Sequence, residues 1–132
     1  MNMKKASVLY LFHTQSEISA AQRLELGTGL YKGLKRLGLN RILLAEPPEA
    51  SAKMQVSWAQ AILLPFAEEH GIAIEAMQSP VPREAPEETC LWILDTESLK
   101  SYLSPFTPPF QAKDQDLVVI NTQKEQYRSL SF

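Results

Sequence analysis

A chain of 132 residues with 45% hydrophobic and 21% charged side chains has the length of one ordinary globular domain and enough apolar material for a core. Its net charge of −2 and pI of about 5.7 exclude the basic footprint that a nucleic-acid backbone requires. Cys90 is the single cysteine, which excludes an internal disulfide and a cysteine-based metal cluster.

No apolar stretch approaches the roughly 18 residues of a membrane span, and the run behind Lys4 and Lys5 is too short for a secretory signal. A single domain over residues 1–132, in the reducing cytoplasm, is the expectation. Ala6 to Phe12 is nearly continuous in apolar character, which predicts a strand buried on both faces. Leu24, Leu26, Leu30, Tyr31, Leu34 and Leu37 then recur close to a helical period, and Gly38 is placed to end that helix. Asn40 to Ala45 reads as a second buried strand, left through Pro47 and Pro48, which cannot extend a central ladder.

A second helix is predicted to start near those prolines and to run through Trp58, Ile62, Leu63 and Phe66 toward Gly71, kinked or split at Pro65. Ile72 to Met77 forms a third strand, and the stretch from Gln78 to Thr89, with Pro80, Pro82 and Pro86, a surface loop. Cys90 to Leu94 is a fourth strand of the buried kind. Asp95-Thr-Glu-Ser opens a third helix with Asp95 or Ser98 as its cap, continuing to Leu99, Tyr102 and Leu103 until Pro105 to Pro109 stop it. Asp116 to Asn121 is the last full strand, and Gln126 to Phe132 pairs beside it at an edge. Strands alternating with helices predict a three-layer α/β/α sandwich with a mostly parallel sheet and an antiparallel edge.

Ligands of such sheets bind at the carboxyl ends of the strands. The first strand runs out as Leu9-Tyr-Leu-Phe-His-Thr-Gln-Ser-Glu17, which resembles the opening of the histidine phosphatase, or phosphoglycerate-mutase-like, superfamily, where a strand ends in Arg-His-Gly-Glu-Thr. Leu24-Glu-Leu-Gly27 is similar to the family's Leu-Thr-x-x-Gly entry, and Leu34 to Leu44 to its passage from helix through glycine and arginine into a strand. Glu46-Pro-Pro-Glu-Ala50 sits where the family writes Ser-Pro-Leu-x-Arg-Ala. Leu91-Trp-Ile-Leu-Asp-Thr-Glu-Ser-Leu99 resembles the later strand that ends in a second histidine. Nearly the whole chain is covered, and the compact phosphohistidine phosphatases are the nearest pattern.

That resemblance puts His13 on the nucleophile, Phe12 on the first arginine, Thr14 on the glycine, Glu49 on the second arginine, and Thr96, or Asp95 one residue earlier, on the second histidine. Phosphoryl transfer to a histidine nitrogen needs positive donors around the transferring group. Each of these replacements removes a donor, and the Glu49 carboxylate repels a phosphate dianion. The loss of one donor of this type typically costs about 10²–10³ in rate. The family's acidic proton donor falls near Glu75 or Glu84 without a secure match.

Other signals are plainer. His70, before Gly71 at a helix end, fits the last carbonyls of that helix. No His or Cys pair has metal-ligand spacing, so neither a metal nor a cofactor is expected. Gly27-Thr-Gly29 lacks the context of a dinucleotide loop, and Ser16, Ser19 and Ser98 lack a nucleophile elbow. Trp58, Phe66 and Trp92 fall on apolar phases and are expected in the core. Phe106 and Phe110, among prolines, and the acidic loop from Gln78 to Glu88 either pack back on the domain or offer a surface on which a protein partner could dock.

The leading expectation is therefore an inactive member of this superfamily that acts by binding a partner or a weakly held phosphate-like anion, with His13 as a remnant. A phosphohistidine or phosphomonoester phosphatase that recruits Lys53, Arg41 or Arg83 into the pocket is the first alternative. An interaction protein without a small-molecule site is the second. Oligomeric state is not legible at this level.

Overall fold

In the computed structural model of the chain, the described residues are 8–14, 19, 21, 25, 28–29, 32–47, 49–77, 89–105, 115–121 and 126–130. They form strands β1 (Val8–Thr14), β2 (Arg41–Ala45), β3 (Ile74–Met77), β4 (Cys90–Ile93), β5 (Gln115–Asn121) and β6 (Gln126–Leu130), with helices α1 (Ala50–Glu69) and α2 (Thr96–Leu103). Residues 28–29 and 32–34 are also helical, within the helix expected between β1 and β2. Its end is marked by Gly38 at φ 64°, a left-handed conformation that glycine adopts without steric cost. Leu24, Leu26, Leu30 and Tyr31, on which the expectation of that helix rested, lie outside the described residues, as do Ser16, Gly27, Arg83, Glu84, Phe106 and Phe110.

The six strands make one sheet in the order β3-β2-β4-β1-β5-β6. β3 pairs parallel with β2, β2 with β4, and β4 with β1. β5 then pairs antiparallel with β1, and β6 with β5. β1 is thus an interior strand, as its unbroken apolar run predicts, and the expected antiparallel edge is present. The parallel strands all point one way, so Thr14, Ala45 and Ile93 bring their carboxyl ends to one side of the sheet.

Side chains alternate between the two faces of each strand. On one face, Phe12, Ile42, Leu44, Leu91, Ile93 and Leu117 meet Val56, Ala59, Ile62, Leu63, Phe66 and Ala67 of α1. On the other, Leu9, Leu11, Trp92, Val118 and Ile120 meet Leu99, Tyr102 and Leu103 of α2. Removing one such large side chain from water contributes about 1.5–3 kcal/mol. Trp92 also makes an edge-on contact with Tyr102, ring centroids 5.7 Å apart. Trp58 departs from expectation, being half-buried, because its position on α1 lies to the side of the stripe that meets the sheet.

α1 neither splits nor stops at Pro65, which lies inside it on the exposed side. The apolar contacts of Ile62 and Leu63 before the proline and of Phe66 and Ala67 after it hold both parts on the same sheet, outweighing the missing N–H. The helix ends in a Schellman arrangement: the Ile72 N–H donates to the Ala67 carbonyl at 2.8 Å, the Gly71 N–H to Glu68 at 3.3 Å, and Gly71 takes φ 65°. His70 is the C-terminal cap residue. Its N–H donates to the Phe66 carbonyl at 3.1 Å, and its ring rests on Phe66 with centroids 4.5 Å apart.

Candidate functional site

The buried polar side chains among the described residues are His13, Thr14, Asp95 and Thr96. They come from two sequence-distant segments, the end of β1 and the turn from β4 into α2. The parallel pairing of these strands continues past the end of β4, where the Leu94 N–H donates to the Phe12 carbonyl at 3.0 Å. That bond draws residues 94–96 alongside His13. There His13 Nδ1 and Thr96 Oγ1 are hydrogen-bonded at 3.1 Å, with His13 at 0% and Thr96 at 6% exposure.

Gln55, in the second turn of α1, completes the arrangement. Its Oε1 accepts the Thr96 N–H at 2.9 Å, so the first turn of α2 is fastened to α1 while the Thr96 hydroxyl reaches the imidazole. Sequence reasoning missed Gln55. The available signal was a polar residue inside the apolar stripe formed by Val56, Ala59, Ile62 and Leu63. Asp95 caps α2, its Oδ2 accepting the Ser98 N–H at 3.2 Å, as the Asp-Thr-Glu-Ser pattern predicts. Among the described residues, its Oδ1 is buried without a hydrogen-bond partner, and so is the indole Nε1 of Trp92.

The other expected site positions are distributed differently. Phe12 is 1% exposed and packs in the α1-side core, so its ring and the His13 imidazole leave β1 on opposite faces of the sheet. Thr14 is fully buried at the end of β1. Glu49 is the N-cap residue of α1, exposed, and its side chain makes no capping hydrogen bond. Lys53 is exposed in the first turn of the same helix. Arg41 stands at the start of β2, about 13 Å of strand from its carboxyl end at about 3.3 Å per residue. It is paired with Glu75 at 3.0 Å, both half-exposed. Recruitment of Arg41 toward His13 is thereby corrected: strand direction sends it to the far side of the sheet. Glu75, a candidate proton donor, is occupied by the same pair.

Among the described residues no group of three or more His, Cys, Asp or Glu is disposed to hold a metal ion. No helix among them is long and apolar enough to cross a membrane. What the cluster offers chemically is a shielded imidazole tied to a hydroxyl, beside a capped carboxylate.

No protein-family model matches the sequence, and no curated protein matches it. A solved structure does: a phosphoglycerate mutase from Plasmodium falciparum superposes over 96% of this chain and 91% of its own, with a TM-score of 0.55 and 9% sequence identity. At that identity the likeness concerns the fold, and it agrees with the six-stranded mixed sheet and its flanking helices. The chain has a phosphoglycerate-mutase-like α/β fold.

Proposed function

We infer that this chain keeps the fold of the histidine phosphatase superfamily without its chemistry and acts by binding, as a cytoplasmic protein that engages a protein partner or a small ligand. The observation that carries this reading is the company of His13. One hydrogen bond of its ring is to a threonine hydroxyl, and the residue before it is a phenylalanine sunk in the core on the other face. A phosphoryl group in transfer spreads negative charge over its oxygens and depends on cationic donors to stabilise it. At the position where the resemblance calls for the second arginine, Glu49 supplies a carboxylate. Arg41, one of the cations an active version would recruit, is engaged at the opposite end of its strand.

The test is turnover. The purified protein is incubated with a generic phosphomonoester and with a phosphohistidine peptide, in parallel with a His13→Ala variant. The expected result is no hydrolysis above the variant. Turnover that disappears with His13 would establish a phosphatase and overturn the proposal.

A further inference from the structure

Helix α1 is apolar on the side away from the sheet as well as on the side that meets it. At 3.6 residues per turn, the buried stripe of Val56, Ala59, Ile62, Leu63, Phe66 and Ala67 faces the core. Met54, Trp58, Ala61 and Pro65 fall within about 60° of one another on the other side of the same helix. Met54 is 53% and Leu64 41% exposed, and these are the exposed large hydrophobic side chains among the described residues. No charged residue occurs between Lys53 and Glu68. The outward face of a surface helix ordinarily carries charged and polar residues, so this one calls for a cover.

The charges at the two ends of the face point to what that cover is. Lys53 lies in the first turn, where the free N–H groups already present positive charge, and Glu68 and Glu69 lie in the last, where the carbonyls present negative charge. Within the helix, no acid in the first turn and no base in the last offsets them. Glu49 stands outside it, at the cap.

We propose that a second copy of this chain covers the face, its α1 lying antiparallel to the first about a two-fold axis near Ala61. The small alanine at the centre lets the helix axes approach. Trp58 then packs against the partner's Ala61 and Pro65, and Leu64 against the partner's Ser57. Lys53 of each copy comes beside the partner's Glu68, so every end charge that opposes its own helix dipole meets a charge and a dipole end of opposite sign. Glu49 falls past the end of the partner helix. The face spans about 120° of a helix about 30 Å long and 10–12 Å across, which is about 400 Å² of accessible surface per copy and about 800 Å² in all. That is below the roughly 1,200–2,000 Å² of a stable complex, so the dimer forms weakly and reversibly. The inference concerns α1 and not the His13 cluster, so it stands or falls apart from the proposed function.

The experiment is sedimentation velocity of the purified chain over a series from low micromolar to millimolar concentration. The expected sedimentation coefficient rises from that of the monomer toward that of the dimer. Lys53→Glu sets like charges together at both ends and is expected to weaken association about tenfold, and the double variant Lys53→Glu, Glu68→Lys to restore it. Because Lys53→Glu also removes a charge that opposes the helix dipole, its urea midpoint at low concentration should equal or exceed that of the native chain, which separates loss of the dimer from loss of the fold. Ala61→Glu places two carboxylates face to face on the axis and is expected to abolish the dimer; if it fails to fold, the charge pair and the concentration series decide. A native chain that stays monomeric throughout overturns the inference, and a lowered urea midpoint in Met54→Ser would then show that the chain covers this face itself. Association undiminished in Lys53→Glu and in a folded Ala61→Glu overturns it equally.

Discussion

Asp95 holds the first turn of α2 through Oδ2, while Oδ1 is buried without a donor among the described residues. The two halves of this side chain act in opposite directions, since a cap stabilises a helix and an unsatisfied buried oxygen costs free energy. Asp95→Ala removes the cap and is expected to lower stability by about 1 kcal/mol. Asp95→Asn keeps an acceptor for Ser98 N–H and removes the buried charge, so its urea midpoint should equal or exceed that of the native chain. An asparagine variant as unstable as the alanine one would mean that the carboxylate is needed for more than capping. This residue was legible from the Asp95-Thr-Glu-Ser pattern because capping is local chemistry. Gln55 was not, because its partner lies on another helix, and its place in the apolar stripe of α1 marks a buried polar residue without saying what it meets.

Across the antiparallel edge, register places Tyr10 of β1 opposite Val119 of β5, and Val119 opposite Arg128 of β6. Facing residues in paired strands share a face, so Arg128 lies on the same side of the sheet as Tyr10. Burial pushes the Tyr10 phenol above its ordinary 10.0, and the Arg128 charge pulls it partly back. Burial raises Tyr127 in the same direction. A raised phenol pKa means that the folded state keeps its proton longer than the unfolded chain. The contribution to stability is therefore complete below pH 10.0 and is lost as pH rises through the folded value. Tyr10→Phe is expected to flatten the alkaline fall in urea midpoint, and Arg128→Gln to leave Tyr10 titrating higher still. An unchanged alkaline limb in Tyr10→Phe would refute this. The strands themselves were readable from apolar runs bounded by prolines and glycines. Their lateral order was not, because apolar runs carry no address; nothing in Cys90-Leu-Trp-Ile specifies that it lies between β1 and β2.

At the scale of the molecule, the packing of Phe12 ties the end of β1 to the core beneath α1. Phe12 packs with Ile42, Leu91, Ile93 and Leu117 on the α1 face. Phe12→Arg would set a guanidinium, which does not give up its charge, into that cluster. The expected cost exceeds about 3 kcal/mol, from the lost aromatic packing and the buried charge together. It is read as collapse of the cooperative urea transition, and a stable variant that binds inorganic phosphate would contradict it. The resemblance was sufficient to identify the α/β architecture and the neighbourhood of His13 and Thr96. It could not distinguish which face of β1 each side chain takes relative to α1, since that depends on where the helices settle.

The position of β1 has a consequence for how the chain reaches this fold. Its two neighbours are β4, which begins at Cys90, and β5, which ends at Asn121. The strand at the centre of the sheet is made about a hundred residues before the last of its two partners, β5 at Gln115–Asn121. During synthesis the apolar run of Leu9, Leu11 and Phe12 waits without its partners, and closing those distant contacts is slow compared with forming α1. Such a chain depends, in the interval, on whatever keeps an unpaired central strand from meeting another copy of itself.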